Sequence, residues 1–149
     1  MGYTQYWRQT RDFTDTEWLD LCGEAFRIID LAKELGVDVA GPHGEDEPEI
    51  NISKIWLNGR APDGNCETFG LNKNKRELGE WETPDPKGVF DFCKTRRRPY
   101  DKVVVSILHA VEKIAPGVII PSSDGGLEAI RPAIDELSAE LKNELQSEQ

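Results

Sequence analysis

Three consecutive arginines, Arg96, Arg97 and Arg98, stand inside the segment Phe90-Asp-Phe-Cys-Lys-Thr-Arg-Arg-Arg-Pro-Tyr-Asp101. Guanidinium groups match phosphate oxygens in bidentate pairs and also lie flat against aromatic or base planes. The segment leads into a stretch with helical apolar spacing, and a helix N-terminus favours anions. In a chain of formal net charge -10, so dense a basic cluster suggests a local role. The chemistry implied is recognition of a small phosphorylated, nucleotide-like ligand. The competing reading pairs the arginines with acid-rich helices at the surface, where an exposed ion pair contributes about 0–1 kcal/mol.

Arg8 and Arg11, with the rings of Tyr6, Trp7 and Tyr100, are the expected companions of the cluster, and Tyr100 or Trp7 would stack on the flat part of the ligand. Cys93 precedes the arginines, but the sixth residue after it is Pro99, so the Cys-x5-Arg loop of a phosphatase is not formed. Ser122-Ser-Asp-Gly-Gly126 lies between a strand and a helix, a geometry that can cradle phosphate. It lacks the Lys-Ser/Thr of a P-loop, and Asp124 would repel an anion, so a plain capped turn is the stronger reading. His43-Gly-Glu-Asp-Glu-Pro-Glu49 has neither an EF-hand pattern nor a second histidine at ligand spacing, and reads as a solvated acidic loop. His109, between Leu108 and Val111, reads as a helix-surface or core histidine. No residue set calls for a metal or a cofactor, and acyl-transfer catalysis has no recognisable nucleophile. Trp56, Trp81, Phe69 and Phe92 read as core or sheet-face packing rather than as a stacking platform.

These residues need a scaffold, and 149 residues suffice for one domain with a proper core. The 38% apolar and 31% charged content is ordinary for a globular chain and argues against wholesale disorder. A pI near 4.7 argues against non-specific binding to nucleic acid or anionic membrane, and fits solubility or a basic protein partner. Three cysteines, Cys22, Cys66 and Cys93, cannot all pair within one chain and form no CxxC, which favours free thiols in a reducing compartment. With no secretion-signal pattern in the first residues and no apolar run of membrane-spanning length, a cytoplasmic protein is expected.

Residues 2–9 predict a first strand with Tyr3, Gln5 and Trp7 on one face. Thr14-Asp-Thr-Glu17 is a capping box, followed by Trp18, Leu21, Cys22, Ala25, Ile28, Ile29, Ala32 and Leu35 at helical spacing, with Gly36 as the stop. Strands are expected at 50–57 and 65–71, and a shorter one at 89–93. Asp101 predicts the N-cap of a second helix with Val103, Val104, Ile107, Leu108, Val111 and Ile114 on one face. A short strand at 117–121 and a last helix over 127–149 follow, with Pro132 as its kink or its true first turn. The leucine stripe of that helix fits docking on the domain, with a homodimer contact as the minor reading.

The order predicts a single α+β domain, 1–149: an antiparallel sheet with two helices on one face in the ferredoxin-like βαββαβ order, plus the added C-terminal helix. The 89–93 strand could replace 65–71 in the main sheet or extend it. On this topology the loop after strand one and the loop into helix two are expected at the same end, so that Arg8 and Arg11 converge with Arg96–Arg98. Ser122–Gly126 is expected at the opposite end.

Met1-Gly-Tyr-Thr-Gln-Tyr-Trp7, the Glu-Pro-Glu-Ile50 segment, Leu57-Asn-Gly59 with Glu67-Thr-Phe69, and Phe92-Cys-Lys-Thr-Arg-Arg-Arg-Pro-Tyr-Asp101 with Ser122-Ser-Asp-Gly125 resemble a family of small bacteriophage and bacterial proteins. The likeness runs to about Gly125 and carries no catalytic residues. It implies a phage accessory protein acting in bacterial cytoplasm. Three functions fit these residues: a non-enzymatic nucleotide-like ligand binder, which in that setting would counter host defence signalling; an acidic protein–protein inhibitor docking on a basic host protein; and a phosphodiester-cleaving enzyme.

Overall fold

The computed structural model describes residues 2–147. The elements are β1 (Thr4–Gln9), α1 (Asp15–Glu34), β2 (Val39–Ala40), β3 (Glu49–Ile50), β4 (Lys54–Gly59), β5 (Phe69–Asn72), β6 (Val89–Lys94), α2 (Asp101–Ile114), β7 (Ile119–Ser123) and α3 (Ala133–Ser147). A 3-10 turn, Leu127–Ala129, precedes α3. Met1, Glu148 and Gln149, part of the predicted first motif and last helix, lie outside the described residues.

β1 is the middle strand of a three-stranded sheet in the order β6-β1-β7, antiparallel to both neighbours. Alternation along it sends Gln5, Trp7 and Gln9 into the interior and turns Tyr6 and Arg8 outwards. β4 pairs antiparallel with β2, β3 and β5 in a second sheet. The result is a single α+β domain, with the predicted strands divided between two sheets rather than joined in one. The 89–93 segment is a full strand, β6, which takes the place beside β1 expected for 65–71.

Local chemistry explains the shifted strand ends. Asn51 Oδ1 accepts from the backbone N–H of Ser53 and Lys54, at 3.0 and 3.1 Å, and makes a tight turn between β3 and β4. The predicted 50–57 strand is therefore a hairpin. β5 starts only at Phe69, because Cys66 N–H donates to the Asn58 side chain (3.1 Å) and Glu67 N–H to the Lys94 carbonyl (3.1 Å).

α1 begins at the capping box. Thr14 Oγ1 accepts from Glu17 N–H at 3.1 Å, and Glu17 Oε1 accepts from Thr14 N–H at 2.9 Å. Gly36, at φ 85°, takes the left-handed turn that ends the helix. Asp101 is not the N-cap of α2; Tyr100 holds that position and Asp101 is the first helical residue. The Asp101 carboxylate instead accepts from Thr95 Oγ1 (2.6 Å) and Gln5 Nε2 (2.9 Å), which tie the helix start to β1 and β6. α3 starts directly after Pro132, so the proline marks a helix start and not a kink. Ala133 and Ile134 are its buried residues, while Leu127, Leu141 and Leu145 are exposed. Ser106 Oγ accepts from Ile134 N–H (3.0 Å) and docks that first turn on α2.

One apolar core joins the layers. It combines Trp7 and Cys93 from the first sheet, Leu57 and Phe69 from the second, and the inner faces of α1 and α2. Trp7 and Phe69 meet across the two sheets with ring centroids 5.2 Å apart. Of the four aromatics expected to pack, Phe69 is fully buried; Phe92 lies on the open sheet face, and Trp81 is 87% exposed on a loop.

Exposed ion pairs hold the start of α1 and the turn at Gly79–Glu82. Arg11 and the Thr14 amide hold the Glu17 carboxyl down at about 2, against an ordinary 4.5. Arg76 and the Gly79 amide do the same for Glu82. Both folded values lie below the unfolded ones, so this stabilisation is complete above pH 4.5 and is lost as pH falls through about 2. The urea midpoint should therefore decline between those limits, and Glu17→Gln should remove part of the decline.

Candidate basic cleft at the start of α2

Because β6 runs against β1, Lys94 ends opposite Thr4, and the 95–100 loop turns at the N-terminal end of the middle strand. Thr95 N–H and Arg96 N–H both donate to the Tyr3 carbonyl, at 3.0 and 3.1 Å, and Arg98 N–H closes onto the Thr95 carbonyl at 3.0 Å. Arg96 and Arg97 sit at φ 53° and 58°. A non-glycine residue in this left-handed region costs on the order of 1 kcal/mol or more. The closed loop sustains two in succession, and Arg97 lies over the Tyr3 ring with its guanidinium carbon 4.2 Å from the centroid.

A cleft of about 210 Å³ opens beside this loop, lined by Tyr3, Arg97, Arg98, Asp101, Lys102 and Arg131, among others. Four cations face one carboxylate. Arg131 is shared with Glu136 at 3.1 Å. Among the described residues, Arg96, Arg97, Arg98 and Lys102 have no carboxylate partner, so the competing reading, in which the arginines pair with the acidic helices, is not the arrangement adopted. Asp101 forms the rear wall, held by Thr95 and the fully buried Gln5. Gln5 Oε1 has no partner among the described residues, a penalty of about 1–3 kcal/mol that the hydrogen bond from Gln5 Nε2 to the Asp101 carboxylate helps offset.

The expected convergence of Arg8 and Arg11 with Arg96–Arg98 does not occur. Antiparallel pairing places the loop after β1 and the loop after β6 at opposite ends of the sheet. Arg11 forms a bidentate pair with Glu17, at 2.9 and 3.0 Å. Arg8 donates to the Gly88 carbonyl at 3.1 Å and lies over the Phe90 ring. β7 runs parallel to β6, so Ser122–Gly126 falls at the arginine end, against expectation. There Asp124 is occupied, accepting from Thr4 N–H and from Tyr6 Oη at 3.0 Å each.

Trp7 and Tyr100 cannot stack on a ligand, because both are buried in the core. Tyr100 Oη donates to the Glu67 carbonyl at 2.6 Å, and its ring packs over Gly59, where an added Cβ would stand 2.9 Å from Cδ1. Burial raises the Tyr100 phenol and pushes the Cys93 thiol up to about 12. Cys93 is therefore protonated at neutral pH and is no nucleophile. His109 lies in a separate cleft with Arg27 and Asp135. No protein-family model, curated protein or solved structure matches this chain. What the cleft can do follows from its own side chains.

Tyr3, Lys102 and Arg131 were not singled out from the sequence. Tyr3 was visible only as a strand residue, and Arg131 reaches the cleft because the first turn of α3 docks on Ser106. Among the described residues no three His, Cys, Asp or Glu side chains are grouped to hold a metal ion. Tyr100→Phe keeps the ring and removes the bond to Glu67; urea unfolding should show a loss of about 1–2 kcal/mol.

Proposed function

We propose that the chain is a non-enzymatic binding protein for a small phosphorylated, nucleotide-like ligand held in the basic cleft. The supporting observation is the grouping of Arg97, Arg98, Lys102 and Arg131 about the first turn of α2, with Arg98 and Lys102 free of carboxylate partners among the described residues. Arg98 and Lys102 meet the phosphate, and the planar Arg97–Tyr3 pair offers its outer face to a base. Asp101 disfavours a bare phosphate and suits a ligand that also brings a hydroxyl donor, as a ribose does. Among the described residues the cleft wall brings cationic side chains together with Tyr3 and Asp101, groups suited to holding a phosphate and a ring. In the phage setting implied by the sequence resemblance, such a protein would sequester a nucleotide messenger of host defence in the bacterial cytoplasm.

A second reading, docking on a basic host protein, uses an acidic surface formed by α1, the exposed Glu45, Asp46, Glu47 and Glu49 of the 45–49 segment, and α3. Leu19, Phe26 and Ile52 line an apolar groove of about 420 Å³ on the same first helix.

Thermal unfolding against mono-, di- and cyclic nucleotides, with phosphate and sulfate as controls, tests the proposal. A ligand at 100 times its Kd should add about 2.7 kcal/mol. Arg98→Glu should abolish the shift without changing the unliganded midpoint. A flat panel would overturn the reading and favour the acidic docking surface.

A further inference from the structure

The first sheet buries one face and leaves the other open. On the open face the register sets Tyr6 beside Phe92 and Arg8 beside Phe90, with Ser122 and Ile120 of β7 on the other flank. Phe90 and Phe92 are 38% and 48% exposed, on a strand whose inward residue Cys93 is fully buried. The three rings form a continuous row: Tyr6 and Phe90 have centroids 6.0 Å apart, and so do Phe90 and Phe92. Arg8 lays its guanidinium over Phe90, 5.2 Å from the centroid.

The row is narrow and bordered by cations. Lys94, two residues beyond Phe92, stands on the same face, and the exposed Arg96 lies in the loop that leaves the strand. At the other end a cleft of about 490 Å³ opens beside Phe90, with Arg8 and Lys75 on its wall. Lys75, Lys94 and Arg96 have no carboxylate partner among the described residues. Carboxylates near the row each have a partner: Asp124 accepts from Tyr6 and Thr4, Glu82 pairs with Arg76, Asp85 with Arg8 at 3.6 Å, Glu67 accepts from Lys94 N–H at 2.8 Å, and Asp91 accepts from Phe92 N–H at 2.9 Å. The acid-rich helices α1 and α3 belong to the helical side of the domain, behind the sheet.

We infer that this open face is a second binding site, independent of the cleft, which takes a short single strand of nucleic acid. Exposed rings in a row accept unpaired bases, and cations at both ends accept the phosphates between them. A second copy of the chain would have to bury Arg8 and Lys94 against their own symmetry mates or neighbours, which the charges oppose. The low pI, which argues against backbone-driven binding, implies a stacking-driven complex with few phosphate contacts. The expected salt dependence is correspondingly shallow, with a log–log slope of about −0.7 for each phosphate contacted.

Fluorescence anisotropy of the full chain with labelled oligothymidylate and oligouridylate dodecamers, and with a blunt duplex, tests this. Single strands should bind and the duplex should not. Phe90→Ala and Phe92→Ala should each weaken binding by about 5- to 100-fold. Phe92→Leu, which keeps apolar bulk and fold but removes the ring, should weaken it as well. Arg97→Glu, which disables the cleft, should leave it unchanged. Absence of single-strand binding at 100 µM protein, equal binding of duplex, or indifference to both Phe92 variants would overturn the inference. So would a dimer in sedimentation equilibrium that Phe92→Ala dissociates, since the face would then belong to a second copy.

Discussion

The antiparallel pairing of β1 with both of its neighbours organises the molecule. With β1 in the middle, β6 and β7 must run the same way and end together beside Thr4. Everything that follows those strands is gathered at one end: the arginine loop, the start of α2 and the turn at Asp124. Everything that follows β1 is sent to the other, including Arg11 and the capping box. A slip of one residue in this register would bring Tyr6 and Arg8 into the core and expose Gln5 and Trp7. The buried set on β1 therefore protects the cleft and the open face at once.

A second dependence is the seam between the two sheets. The Glu67 carbonyl accepts from Tyr100 Oη, and Cys93 Sγ lies 3.4 Å from it, while Trp7 and Phe69 close the apolar side. At the far end Gln9 Nε2 donates to the Asn72 and Lys73 carbonyls, at 3.1 and 3.2 Å. Residues that look functional by type are thus engaged in holding the sheets on one core. Their burial makes the thiol and the phenol chemically quiet.

Charge is separated by the same architecture. Carboxylates crowd α1 and α3, Arg96, Arg97, Arg98 and Lys102 gather near the N-terminal end of β1, and aromatic rings occupy the outward face of the first sheet. A net charge of -10 describes the molecule as a whole but neither of its candidate sites. Local fields are set by the nearest few groups, since free charges beyond about 8–10 Å are largely screened at physiological salt.

The helices, the capping box, the apolar stripes of α1 and α2, the single domain and the basic cluster were all legible in the residues. Each is a pattern contained within one turn or one window, such as Thr14 with Glu17 or Val104 with Ile107, Leu108 and Val111. Tertiary structure alone decided which strands pair and in which direction, and with that the end of the sheet at which each loop emerges. It separated Arg8 and Arg11 from Arg96–Arg98 and brought Arg131 across from the start of α3. It also sorted the aromatics, since a ring able to stack on a ligand is equally able to fill a core. Trp7 and Tyr100 went inside and Tyr6, Phe90 and Phe92 outside because strand parity and sheet partners, which are non-local, choose the buried face.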